Sequence, residues 1–449
     1  MTRARLKPIS EQAIVVTGAT SGIGLATARR AARTGACVFL IARGESDLKL
    51  LCEELQGEGS RVAYAVADVA DYDALAEAAD KCRRLFGGFD TWINNAGVSI
   101  YGLMKDTPLE DQRKLFETNY WGIVNGSLIA AEHLKARPDG GSIINLGSVL
   151  SDSPIPIQGV YSASKHAVKG FTNAFRMELM REKAPISLTL VKPAAIDTPY
   201  NRHARNLTSQ AMQNPQPVYA THVVADAILW CASHPVREIT VGLGGRLIAS
   251  FYALLPGIAE PLFAAFTPRM LRDHDGTYDP ELEGFWEPAE DGLYEEVHYP
   301  MVRQFSALAE VRKHPGIAAA AVAVLAGIGL ATLLLNQRSG PTRYERLRTR
   351  LDPRGWVDAD GLRDRWEELA SGVRHGLMDA GAGAEKAKAR AGRWWGRTSR
   401  DLEEVSARGG RYAKDHAREG GALLALASIA AAIGAAAYEA NRAKHGRID

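Results

Sequence analysis

Tyr161 and Lys165, four residues apart in YSASK, are the pair in this chain best suited to acid–base chemistry. On a helix, positions i and i+4 share one face, so the ammonium can lie under the phenol oxygen. A free tyrosine titrates near pH 10. Bringing it to about 7 needs roughly 4 kcal/mol, which a unit charge about 4 Å away supplies at an effective dielectric of about 20. A phenol tuned in this way takes a proton from an alcohol or gives one to a carbonyl. Far upstream stands TGATSGIG, Thr17 to Gly24. Gly18, Gly22 and Gly24 permit a tight turn and let the main chain approach a pyrophosphate, which then faces the N–H groups and positive dipole end of the following helix. Taken alone, a glycine turn without a phosphate is the alternative.

The elements that position these residues follow from an alternation of short β-branched runs with longer helical stretches over residues 12–250. That pattern predicts a doubly wound parallel sheet, an α/β fold with helices on both faces. Strands are expected at Ala13 to Val16, Cys37 to Ile41, Arg61 to Ala65, Thr91 to Asn94, Ser142 to Leu146, Ser187 to Val191 and Glu238 to Val241. The whole chain has 449 residues, about three times the length of one ordinary domain, so two or three units are expected.

Between the glycines and the tyrosine lie Asp68, NNAG at Asn94 to Gly97, Asn119, and Ser148 thirteen residues before Tyr161. In this order and spacing the motifs resemble the short-chain dehydrogenase/reductase family, in the subgroup marked by TGxxxGIG, NNAG and YxxxK. The resemblance covers residues 10–250 and implies a Rossmann catalytic domain that oxidises CH–OH donors, or reduces carbonyls, with NAD(P). It makes Asn119, Ser148, Tyr161 and Lys165 the catalytic set. Ser148 would hold the substrate oxygen and stabilise its developing charge; Asn119 would anchor a water linking Lys165 to solvent. Lys165 would also reach the nicotinamide ribose beside Tyr161. Gly18, Ser21, Gly22, Ile23 and Gly24 would cradle the pyrophosphate. By the same resemblance Asp68 and the backbone of Val69 meet adenine, and Asn95, Ala96 and Gly97 wall the adenosine. PAAIDTP, Pro193 to Pro199, resembles the segment that holds the nicotinamide carboxamide, through Pro193, Ile196 and Thr198. Ala194 stands where the family has Gly, which puts the local backbone geometry in question. The segment after Thr198, roughly 200–220, is expected to form the substrate pocket and contains Tyr200, His203, Met212 and Tyr219, which point to neither a carboxylate clamp nor a sugar site.

Cofactor choice is read at the end of the second strand, where an acid would accept from the ribose 2′-OH of NAD. Here the strand ends Ala42, Arg43. A guanidinium suits a 2′-phosphate, so NADP(H) is expected over NAD(H). Ser21 occupies a place where NADP-using relatives often carry a second cation, and Arg43 capping a helix or facing water is the alternative.

Beyond residue 250 a mostly helical extension is expected. Residues 251–267 are apolar on more than one face and interrupted by Pro256 and Pro261, which fits a substrate lid or a membrane-touching helix pair; helices closing the core are the plainer alternative. A polar, acidic and aromatic stretch runs on to about residue 305 without a recognisable motif, closing the extension 251–315. Residues 316–335 form twenty uncharged positions, nine of them Leu, Ile or Val, enough for a transmembrane helix of about 30 Å. A second uncharged run, 420–438, is rich in Ala, with only five Leu or Ile, and is a weaker candidate to span. Between them, residues 336–419 carry 19 Lys or Arg and 14 Asp or Glu with Trp394 and Trp395 among arginines, which fits a basic amphipathic interfacial segment, a solvated charged helix or partial disorder.

The overall net charge of +2 gives no pull toward nucleic acid. Four scattered cysteines and unclustered histidines point to neither a disulfide framework nor a metal site. Arg3, Arg5 and Lys7 precede an apolar run too short for a secretion signal. The sequence therefore predicts an NADP(H)-dependent oxidoreductase acting on a hydrophobic substrate, held to a membrane by its C-terminal segments with the catalytic domain on the cytoplasmic side. A homo-oligomer is compatible with this. The competing expectation is a membrane-associated scaffold that binds a dinucleotide without turnover.

Overall fold

The computed structural model describes residues 4–313 apart from residues 209, 275, 290 and 298. The expected spans at 316–335 and 420–438 and the basic segment 336–419 lie outside the described residues. Seven strands form one parallel sheet: β1 (Ala13–Thr17), β2 (Cys37–Ala42), β3 (Val62–Val66), β4 (Thr91–Asn94), β5 (Gly141–Leu146), β6 (Ile186–Pro193) and β7 (Glu238–Val241). Each falls within two residues of the sequence expectation. Their order is 3-2-1-4-5-6-7, so the chain reverses direction across the sheet between β1 and β4. At such a switch point the strand ends leave a crevice for a ligand.

Alternation along the buried strands divides the core into two layers. Ile14, Val16, Val38 and Leu40 face the helices α1 (Gly22–Arg33), α2 (Glu45–Gly57) and α7 (Thr221–Ser233). Val15, Phe39 and Ile41 face the other way, onto α3 (Tyr72–Phe86), α5 (Gly122–Lys135) and α6 (Gly159–Arg181), with the short α4 (Leu109–Phe116) preceding α5 in the chain. Strands buried on both faces read as continuous apolar runs, which is why they were legible in sequence. Two small parallel pairs escape that signal because each strand has only two residues: Ile100–Tyr101 with Arg205–Asn206, and Val218–Tyr219 with Val302–Arg303.

After β7 come two helices, α8 (Leu243–Leu254) and α9 (Pro256–Met270), which meet at Leu255. They do not close the core: Ala249 and Ala259 are their buried residues. No helix among the described residues is long and apolar enough to cross a membrane.

Candidate active site

The crevice at the switch point begins with the glycine turn. Gly18 and Gly22 take left-handed φ of +63° and +50°, which a side chain would oppose. A Cβ on Gly24 would sit 1.9 Å from the Gly18 carbonyl oxygen and 2.5 Å from Asn95 Nδ2, so the helix opens hard against the turn. Asn95 Nδ2 donates to the carbonyls of Thr17 and Gly18 at 3.0 and 3.1 Å, while Thr17 Oγ1 accepts from the N–H groups of Asn95 and Ala96. The NNAG segment thus braces the glycine turn as well as lining the crevice. Gly18, Ser21, Gly22 and Ile23 line it too, whereas Gly24 lies behind, in the packing of α1.

Along one wall are Arg43, Asp68, Val69, Ala96 and Gly97. Asp68 accepts from the Ala70 N–H at 2.9 Å and from Lys114 Nζ at 3.0 Å. Burial opposes its charge, but these two donors hold its carboxyl below the usual range. Pro193, Ala194, Ile196 and Thr198 line the opposite part. The Ala194 substitution is absorbed by its neighbours: its methyl stands where Cβ atoms on Gly242 and Gly245 would fall, at 2.6 and 2.9 Å.

Tyr161 and Lys165 project from α6, Ser148 from the turn after β5, and all three line the crevice. Asn119 sits just behind, in a π-turn over Glu117–Trp121. Its Oδ1 accepts from the Val98 N–H at 2.8 Å and its Nδ2 donates to the Val98 carbonyl and to Ser164 Oγ. Both amide protons are therefore committed to protein partners, and a water could be held by the side chain only through the second lone pair of Oδ1. Single-turn π-bulges of this kind recur at functional sites.

The expected lowering of the tyrosine is not produced by the polypeptide itself. Burial pushes the Tyr161 phenol up, against hydrogen bonds with Tyr200 and Ser148 that favour its anion. Lys165 Nζ lies 5.6 Å from the centre of the Tyr161 ring and donates to the Leu146 carbonyl at 2.9 Å. Burial lowers its own pKa to about 8. The helical spacing places the two groups together as expected; tertiary burial reverses the sign of the tyrosine's shift.

Three features at the site are settled by the fold rather than by a motif; the first, Tyr200, comes from the segment 200–220 expected to form the substrate pocket. Tyr200 stands edge-on to Tyr161, 5.6 Å between ring centres, and its hydroxyl accepts from Gln158 Nε2 at 3.3 Å. His203 also lines the crevice, but Met212 packs beside Leu271, and Tyr219 is buried in the core with its hydroxyl accepting the Leu243 N–H. Asp152 ties the turn that carries Ser148 to the helix that carries Tyr161: it pairs with Lys169 on α6 and, at 2.7 Å, with Lys192 on β6. Asp152→Asn is expected to lower kcat about tenfold or more with little change in cofactor affinity, because small misplacements of reacting groups are costly. Steady-state kinetics beside a cofactor titration checks this.

The third feature is the stretch 284–299, which runs along the crevice. Arg43 donates through Nη1 and Nη2 to the carbonyls of Gly284, Phe285, Trp286 and Glu287, and the Gly22 N–H at the start of α1 donates to the Tyr294 carbonyl at 2.9 Å. Asp197 fixes its far end by accepting from the N–H groups of Val297 and Tyr299. Such long-range main-chain pairing has no periodicity to betray it. Among the described residues no cluster of side chains could hold a metal ion, and all four cysteines are free thiols.

The chain resembles known proteins in sequence and in fold. The short chain dehydrogenase family profile matches residues 12–208. The uncharacterized oxidoreductase YxnA of Bacillus subtilis is 42% identical over 262 residues, 58% of this chain and 74% of that one. 11-beta-hydroxysteroid dehydrogenase A of Arachis hypogaea is 31% identical over 240 residues, 52% of this chain and 67% of that one. A solved structure of a short chain dehydrogenase/reductase from Burkholderia phymatum in complex with NAD shares the fold, with a TM-score of 0.51 at 22% identity over 57% of this chain and 96% of that one. The chain belongs to the short-chain dehydrogenase family and is an oxidoreductase.

Proposed function

We propose that the protein interconverts a carbonyl and an alcohol on a hydrophobic substrate with NADP(H), beside a membrane and on its cytoplasmic side. The observation that carries the reaction is the meeting of the Tyr161, Ser148 and Tyr200 hydroxyls and Lys165 on the wall of the crevice that the glycine turn opens. The crevice suits a dinucleotide: Gly18 and Gly22, with left-handed φ, shape the turn that opens α1 onto it, and Thr118, which also lines it, has a buried Oγ1 without a partner; a pyrophosphate there would take the Gly22 N–H from the Tyr294 carbonyl. When bound, the nicotinamide supplies or accepts the hydride. Ser148 holds the substrate oxygen, and Tyr161, kept protonated by burial, gives its proton to a carbonyl in the reducing direction. Lys165 holds positive charge beside the phenol as it becomes an anion.

Apolar lining by Val149, Leu150, Ile155 and Leu271 supports a hydrophobic substrate, and the plant relative is named for a steroid. The membrane reading rests on the uncharged runs of the sequence. The positive-inside rule, with five arginines just after residue 335, would place that flank in the cytoplasm as well, so the first run either enters as a shallow hairpin or is paired by the second. Arg43 supports NADP(H): it meets four main-chain carbonyls, and a phosphate that displaces them forms stronger, charge-assisted bonds.

A panel of long-chain and short carbonyls and alcohols, followed by nicotinamide absorbance with both cofactors, tests the reaction; absence of turnover across the panel overturns it. Arg43→Asp is expected to move preference from NADP(H) toward NAD(H) in a fluorescence titration. A wild-type protein that already prefers NAD(H) removes the assignment.

A further inference from the structure

We propose that the elbow between α8 and α9 dips into the surface of a lipid bilayer and sets the mouth of the crevice on it. These two helices and Leu255 between them hold nine of the twenty-five large apolar side chains that are exposed among the described residues, within positions 243–270. From Ala253 to Ile258 six successive residues are exposed, and none carries a charged or hydrogen-bonding side chain. In α9, Ala264, Ala265 and Phe266 are exposed in succession, and at 100° per residue they sweep about 200° of the helix surface. A helix that awaits a protein partner presents one apolar stripe; exposure around most of the circumference calls for a surrounding apolar phase. That distinction selects lipid over a protein groove.

The main chain at the elbow is prepared for such a phase. The N–H groups of Leu255, Ile258 and Ala259 all donate within the pair, to Phe251 and Leu255 carbonyls, and Pro256 has none to donate. Unpaired donors there would be costly in hydrocarbon. The charges sit toward the root: Arg246 in α8, with Asp152 4.0 Å away, Arg269 in the last turn of α9 and Arg272 two residues beyond it; the last two are complementary to anionic headgroups. The one acid of the pair, Glu260, accepts from the Tyr252 hydroxyl at 3.4 Å, and this polar couple limits the depth to the interface, about 5–10 Å. With lengths of 12 and 15 residues, neither helix spans the roughly 30 Å of a bilayer core.

Both roots of the pair adjoin the reacting end of the crevice. Gly245 packs against Val149 and Ala194, and Leu271, which follows α9, lines the crevice itself. A membrane-dissolved carbonyl or alcohol would thus reach Tyr161 without crossing water. This second step rests on the hydrophobic substrate proposed above; the docking does not.

The test uses the full-length chain with Cys37→Ala, which leaves three buried thiols. A bimane label is placed at Leu254→Cys or Ile258→Cys, with Leu85→Cys on α3 as an exposed reference. Vesicles of phosphatidylcholine and phosphatidylglycerol carry a spin label on the acyl chain. Quenching of the two elbow labels, at least threefold above that of the reference, is expected. Elbow labels quenched no more than the reference, or a protein that leaves the vesicles in sedimentation, overturn the docking, whatever the uncharged runs 316–335 and 420–438 contribute to binding elsewhere. Leu254→Glu with Ile258→Glu is then expected to lower kcat/KM at least tenfold for a vesicle-borne long-chain ketone and leave a short water-soluble ketone unaffected; equal effects on both overturn the delivery step. Turnover without elbow quenching removes the docking alone, while elbow quenching without turnover on any carbonyl removes the proposed reaction alone.

Discussion

Tyr161→Phe is expected to lower kcat by a factor of about 10² to 10⁴, the range typical of a lost general acid or base, while the dissociation constant of the cofactor changes less than about threefold. The substitution removes one oxygen from a group that lines the crevice and leaves the ring, which packs against Tyr200. Ser148 and Tyr200 lose a hydrogen-bond partner, so a small affinity change is expected from the rearranged hydroxyls. Stopped-flow reduction of a carbonyl beside fluorescence titration of the cofactor separates the two. A Phe variant that keeps more than about a hundredth of the wild-type rate removes Tyr161 as the proton donor.

Lys165→Met is expected to reduce turnover by a comparable factor, weaken the cofactor and alter the pH profile. Burial lowers the lysine to about 8, so its ammonium is present below that pH and lost above it. Tyr161 is pushed up by its own burial and stays protonated across the same range. In the reducing direction kcat/KM for the cofactor, which reports the free enzyme, should therefore be level below about pH 8 and fall as pH rises through it. The Met variant should lose that inflection. If it keeps both the inflection and the wild-type affinity, the falling limb belongs to another group and Lys165 does not touch the cofactor.

The sheet was legible because its strands are buried on both faces and written as unbroken apolar runs, so Val15 or Ile144 needed no partner to be placed. The glycines and the Tyr161–Lys165 spacing were legible for a local reason: turn sterics and helix geometry act within a few residues, and the chemistry follows the residue types. Tertiary structure decided what depends on residues distant in the chain. Asn95 braces the glycine turn across some 77 positions, Asp152 gathers Lys169 and Lys192, and Ala194 is accommodated only because Gly242 and Gly245 stand opposite.

The tyrosine's protonation shows the limit most sharply. The sequence places a lysine on the same helical face, which by itself argues for a lowered phenol. The fold buries both groups, and desolvation, a property of the surrounding atoms and not of the pair, raises one and lowers the other. The stretch 284–299 was likewise silent in sequence because it binds through main-chain carbonyls, which every residue type carries. Sequence alone determined the fold class, the glycine turn and the candidate acid–base pair, since each is set by local pattern. Tertiary structure alone determined the charge state of those side chains, which segment lies over the guanidinium of Arg43, and which apolar helices remain uncovered, because burial is decided by what the rest of the chain leaves in reach.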